Sequence, residues 1–150
     1  MTTPKLEAIL AAIRTVILSR TQDAVAADRI IPGVMEVYEN VQRDLMVAMP
    51  CCNFLARSEN IENDPQNFCC ELDIQTFHVS GMNEARSDEL RAICHGIRRA
   101  INRETNLGPS SKFIVTGITY SPPGTRLADG ALILQGDIKM KIYYKEDWHG

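Results

Sequence analysis

The stretch that decides the fold is "FCCELDIQTFHV", residues 68–79. Cys70, Leu72, Ile74 and Thr76 alternate with Glu71, Asp73 and Gln75. An extended chain sends successive side chains to opposite faces, so this alternation predicts a strand with one apolar face and one polar face. Just upstream, Pro50 leads into "CCNFLAR" (51–57), a short apolar run that suits a second strand. Between the two lies "SENIENDPQN" (58–67), rich in Asn, Asp, Glu and Pro, which reads as a polar loop. A hairpin of strands 51–57 and 68–76 around that loop is therefore expected.

Four of the five cysteines sit in this hairpin as vicinal pairs, Cys51-Cys52 and Cys69-Cys70. Structural zinc sites take cysteines spaced by two to four residues, so that a turn wraps the metal. Vicinal cysteines in a strand point to opposite faces and cannot easily ligate one ion. Pairing the hairpin about the loop's centre puts Cys51 near Ile74 and Cys70 near Leu55. That offset, roughly 13 Å at ~3.3 Å per residue, exceeds the ~7 Å a disulfide allows. One cysteine of each pair is expected to face the core as a small apolar residue.

Working outward, "GMNEARSDELRAICHGIRRAINRETNLGP" (81–109) reads as a helix. Ser87 can cap it, Asp88 and Glu89 complement its positive end, and Leu90, Ile93, Cys94, Ile97 and Ile101 form its apolar stripe. Gly108-Pro109 is a stop signal just beyond it. "KFIVTGITY" (112–120) is the next expected strand, "SPPGTRLADG" (121–130) a turn-rich connector, and "ALILQGDIKMKIYY" (131–144) the last strand. There Leu132, Leu134, Ile138, Met140 and Ile142 share one face, and Lys139, Lys141 and Tyr143 the other. The tail "KEDWHG" (145–150) is expected to fray. At the other end, Thr3-Pro4 opens a helix expected over 4–20, with Leu6, Ile9, Leu10, Ile13 and Ile17 on one face. Residues 21–50 carry a Pro-Gly turn signal and a short strand within "VMEVYENV" (34–41).

The expected fold class is therefore α+β: a mainly antiparallel sheet of four to five strands with two main helices packed on it. With 150 residues, one domain spanning 1–150 is expected. Charged residues make up 23% and the net charge is −3. A free-standing nucleic-acid binder would carry a basic stripe. The densest basic cluster is only Arg98, Arg99 and Arg103, which reads as a solvated helix face. No run approaches the ~20 apolar residues of a membrane span. The first twenty residues, interrupted by Glu7 and Arg14, do not read as an export signal, so a reducing compartment and reduced thiols are expected.

Sharp chemical readings find little. Cys94 and His95 are adjacent on a helix, roughly 100° apart in projection, and do not face each other. His78 and His95 have nothing that brings them to the cysteine pairs. GxSxG, HExxH, P-loop and GxGxxG motifs are all missing from the sequence. The residues point to no catalytic site, no cofactor and no metal.

The order of these pieces resembles the tail terminator, or tail completion, family of long-tailed bacteriophages. The resemblance runs over about residues 4–144. It rests on the opening helix "KLEAILAAIRTVILSR", the strand after the proline in "MPCCNFLAR", the polar acidic loop, the strand "FCCELDIQTFHVSG", the helix "SDELRAICHGIRRAI" and the strands "FIVTGITYSP" and "ALILQGDIKMKIYY". Residues 21–50 have no clear equivalent, and the cysteine pairs are not a family signature. The resemblance implies a non-enzymatic virion protein of the tail and neck, assembled in the host cytoplasm. Such proteins form a homo-hexameric ring that caps the tail tube, ends its polymerisation and offers a surface to the head–tail connector. In contractile tails the ring also meets the sheath. DNA only passes through the channel, and no membrane is involved; an acidic chain suits a channel along which phosphates slide without adsorbing.

A closed ring needs a heterologous interface. The expected contact regions are the exposed strand edges, the loop 58–67 and the connector 121–130. The candidate residues are Arg57, Ser58, Glu59, Asn60, Glu62 and Asp64 in or beside the first, and Thr125, Arg126 and Asp129 in the second. Two rivals stay open: another head–tail joining ring of the neck, and a small cytosolic thiol enzyme or ligand-binding domain.

Overall fold

In a computed structural model of the chain, the residues described are 5–21, 31, 33–34, 36–41, 50–62, 67–80, 87–110, 112–126 and 132–146, with the backbone alone for 80 and 122–126. The elements follow the order α1 (Lys5–Thr21), β1 (Glu36–Glu39), β2 (Cys51–Ile61), β3 (Asn67–Ser80), α2 (Ser87–Asn102), β4 (Lys112–Arg126) and β5 (Leu132–Lys145). The five strands make one sheet in the order β1-β2-β3-β5-β4. The β1–β2 pair is parallel and the other three are antiparallel, so the fold is α+β as expected.

Period-2 patterning in β3 and β5 produces this sheet. Cys70, Leu72 and Ile74 of β3 and Leu134, Ile138, Met140 and Ile142 of β5 are buried in one cluster with the apolar stripes of both helices. Each helix has one apolar stripe and covers that single face of the sheet, because a helix and a sheet each need one partner layer to bury their apolar sides. Ile9, Ile13 and Ile17 of α1 and Ile93, Ile97 and Ile101 of α2 reach 0–2% exposure there. The last turn of α2 tightens, with Glu104 N–H donating to the Ile101 carbonyl at 3.1 Å. The chain then turns at Gly108, whose φ of +56° strains any residue with a side chain, and a Cβ there would also stand a tight 3.2 Å from the Ala8 carbonyl oxygen.

The odd-numbered residues of β3 and β5 face the other way, where a smaller cluster of Cys51, Phe77 and Ile133 forms with Tyr38 and Val41. Asn40, at φ +51°, turns the chain out of β1, and its N–H donates to the Phe54 carbonyl at 2.8 Å. Asn tolerates this left-handed conformation better than most residues. The turn delivers Val41 to the buried Asn53, whose amide accepts from Val41 N–H at 3.0 Å and donates to the Val41 carbonyl at 3.1 Å.

Several expectations need correction. The stretch 58–67 is not all loop: Ser58, Glu59, Asn60 and Ile61 continue β2, paired with Glu71, Cys70, Cys69 and Phe68. A bulge between Ala56 and Ser58 inserts Arg57 and lets the ladder resume beyond it. The hairpin register therefore differs from the centred one: Cys51 is opposite Phe77, and Cys70 is opposite Glu59. That separates Cys51 from Cys70 by roughly 25 Å along the strand, so the exclusion of a bridge holds more strongly. Likewise 121–130 is not simply a connector. β4 runs to Arg126, and a register shift between Ser121 and Thr125 takes up Pro122-Pro123-Gly124. Proline is tolerated at a bulge on an edge strand. Of the tail 145–150, Lys145 ends β5 and the Glu146 carboxylate accepts from Lys5 N–H at 2.7 Å, and 147–150 lie outside the described residues.

Candidate functional site

The candidate contact residues divide between the two ends of the sheet. Asn67 pairs with Lys145 at one end of the β3–β5 ladder and Ser80 with Leu132 at the other. At ~3.3 Å per residue the ends are roughly 40 Å apart. Ser58, Glu59, Asn60 and Glu62 lie toward the first end, around the β2–β3 hairpin, and Arg57 lies near mid-ladder beside Asp73. The backbones of Thr125 and Arg126 pair with Ile133 and Leu132 at the second. The side chains of Thr125 and Arg126 lie outside the described residues, as do Asp64 and Asp129 altogether.

From mid-ladder to the hairpin end the polar residues hold one another. The bulge swings Arg57 over the sheet face opposite the helices, where its Nε donates to the Asp73 carboxylate. Lys139 Nζ lies 3.4 Å from the same Asp73 oxygen. Asp73 is only 3% exposed, so its carboxyl group is buried, and two half-exposed cations lie against it. Ser58 Oγ donates to Glu71 at 3.4 Å, and Asn60 Nδ2 donates to Ser58 Oγ at 3.1 Å. On the helix side, Tyr144 O–H donates to the Glu59 carboxylate. Burial first, and then that carboxylate, push the Tyr144 pKa up. Glu62 closes the hairpin, its N–H donating to the Asn67 carbonyl at 2.8 Å. Beside it Phe68 stacks on Tyr144 with centroids 5.8 Å apart, and Lys112 sits 5.7 Å from the Tyr143 ring. These rings and side chains, with Glu62 and Asn67, line an open recess at the sheet's end.

The anchors of these residues, Asp73, Lys139 and Tyr144, were not among the sequence candidates. A trace of Asp73 was present in the β3 alternation, where it stood on the polar face. Its pairing with a residue sixteen positions away required the register.

The cysteines split as vicinal placement dictates. Cys52 and Cys70 join the helix-side core, and Cys51 joins the smaller cluster on the other face. None of the five thiols is in a disulfide, and all are buried. Burial pushes the pKa of Cys51 up to about 11 and those of Cys70 and Cys94 to about 12 from an ordinary 9.0, and pushes Cys52 higher still. A nucleophilic cysteine requires the opposite shift. His78 is taken up by Glu89 of α2, Nε2 to Oε2 at 2.7 Å, while His95 lies exposed beside Arg98. Among the described residues, no three His, Cys, Asp or Glu side chains gather as a metal site would require. No described helix is long and apolar enough to cross a membrane.

No protein-family model matches the chain, and no curated protein matches it.

Proposed function

We propose that this chain is a structural subunit of a bacteriophage tail: a terminator that assembles as a ring of six, caps the tail tube and presents its far side to the head–tail connector. The observation that carries this reading is the placement of two unlike hairpin ends at opposite ends of one sheet. One end shows carboxylate and amide groups from Glu59, Asn60 and Glu62, held on fixed strands. At the other, β4 ends in the sequence Ser-Pro-Pro-Gly-Thr-Arg. A subunit set between a tube and a connector needs two such separate surfaces, with neighbours reached sideways. The mechanism is steric and by mass action. The ring's lower surface occupies the tube end, so no further tube subunit adds.

The burial of all five thiols, and the raised pKa values of Cys51, Cys52, Cys70 and Cys94, disfavour the thiol-enzyme rival. The test is negative-stain microscopy of the chain mixed with tube subunits of the same phage, together with light scattering of the chain alone. Six-fold caps on tube ends support the reading, as does a particle of six times 16.8 kDa, 100.8 kDa. A strictly monomeric chain that leaves tube ends bare overturns it. A twelve-fold ring bound to the portal assigns the chain to the neck instead.

A further inference from the structure

Neither edge of the sheet is paired along its whole length. β4 is hydrogen-bonded to β5 alone, and β1 covers only Cys51–Phe54 of β2. Among the described residues, Leu55–Ile61 of β2 and all of β4 therefore present an unpaired row of backbone N–H and C=O groups. Such rows are templates for another strand. Following the ladders across the sheet puts both edges on one scale. Ile114 stands level, through Lys141 and Glu71, with Ser58, and Lys112 stands level, through Tyr143 and Cys69, with Asn60. The open part of β2 and the first half of β4 thus occupy the same band of the sheet. Above that band β1 occupies one edge, and Pro122 and Pro123, which have no N–H, interrupt the other.

Three further observations point to what fits there. The large hydrophobic side chains most exposed among the described residues are Ile61 at 63%, Ile114 at 48% and Tyr120 at 41%; Ile61 and Ile114 lie in this band, and Tyr120 lies above it on β4, level with Cys52. Charge is complementary on the face opposite the helices, with Lys112 on β4 and Glu62 just beyond the end of β2. Direction also agrees. β2 runs parallel to β5 and antiparallel to β4, so a copy placed alongside, with its helices on the same side, brings its β2 antiparallel to β4.

We propose that the first half of β4 in one copy pairs antiparallel with Leu55–Ile61 of β2 in the next, with Ile114 opposite Ser58, so that the sheet continues from subunit to subunit. Each copy donates one edge and receives on the other, a heterologous contact that can close into a ring. The inference deepens the ring reading and rests on it only for the number of copies and for closure.

The test uses the full chain carrying Ile114→Cys together with Ser58→Cys, each single variant, and the unsubstituted chain as background for the five buried thiols. Directly opposed residues of an antiparallel pair lie ~4.5–5.5 Å apart between Cα atoms, within the reach of a disulfide. After mild oxidation the double variant is expected to run as a ladder of linked dimers, trimers and higher species on a non-reducing gel, collapsing to one band on reduction. Neither single variant is expected to link. Linking by Ile114→Cys alone would mean that β4 meets β4, and would overturn the proposal. So would an unlinked double variant, whether light scattering finds it associated or monomeric. Ile114→Lys should abolish association of the wild-type cysteine background without moving its melting temperature. A ladder from a chain that fails to cap tubes leaves the edge pairing standing and removes the tail reading. Capped tubes with no ladder do the reverse.

Discussion

On the helix-covered face of the sheet, β3 and β5 place Leu72, Ile74, Ile138 and Met140, all at 0–1% exposure. On the opposite face the same two strands place Glu71, Asp73, Gln75, Asp137, Lys139 and Lys141. The first face is held by area removed from water, and its residues need no particular partner. The second holds a buried carboxylate that requires one. Asp73 meets Arg57, delivered by a bulge, and Lys139, delivered by a neighbouring strand. The comparison teaches that the fold is decided on one face. On the other face the buried carboxylate of Asp73 is matched within the molecule, and among the described residues the sheet's edges keep backbone groups with no strand partner.

The largest expected effect is on the apolar side and is set by pH. Cys52, Cys70 and Cys94 there, and Cys51 opposite, keep their protons in the folded chain above the ordinary thiol pKa of 9.0. The unfolded chain releases them near pH 9. Stability from this source is therefore complete below about pH 9 and is lost as pH rises toward the folded values, by up to about 1.4 kcal/mol per pH unit for each thiol. Melting followed by circular dichroism should be flat from pH 7 to 8.5 and fall steeply from pH 9 to 11. A flat profile through pH 11 would show that the thiols are not buried as described.

Next in size is Ile138→Ala, at the centre of the helix-side cluster. It should cost about 2–5 kcal/mol in urea unfolding, because a cavity remains. Asp73→Ala removes the shared partner of two half-exposed cations from the other face. With those cations still reaching water, the loss should be nearer 1 kcal/mol. Equal losses in the two variants would erase the distinction between the faces. Smallest of all is Ile114→Lys on the edge, which should change stability by less than about 0.5 kcal/mol, while removing association between copies.

Much of the apolar half was legible in the sequence, and its reason is periodicity. The alternation of Cys70, Leu72, Ile74 and Thr76 and the stripe from Leu90 to Ile101 each report one buried face directly. The vicinal cysteines could be assigned to opposite faces for the same reason. The sheet's ends were misread because composition stood in for conformation. Ser58–Ile61 and Ser121–Arg126 are polar or proline-containing because they lie at the sheet's margins, and bulges at Arg57 and at Pro122–Gly124 let them stay in their strands. The anchors Asp73, Lys139 and Tyr144 depend on which strands are neighbours. Strand order carries no local sequence signal, and for that reason the open edges of β2 and β4 were also out of reach.

The most direct measurement of the central claim, that these ends and edges serve assembly on a tail tube, is the length distribution of polymerising tubes seen by electron microscopy with and without the chain. The account predicts that adding the chain arrests growth and leaves each arrested tube end covered by a ring. Tubes that lengthen identically in its presence, with uncovered ends, would contradict it.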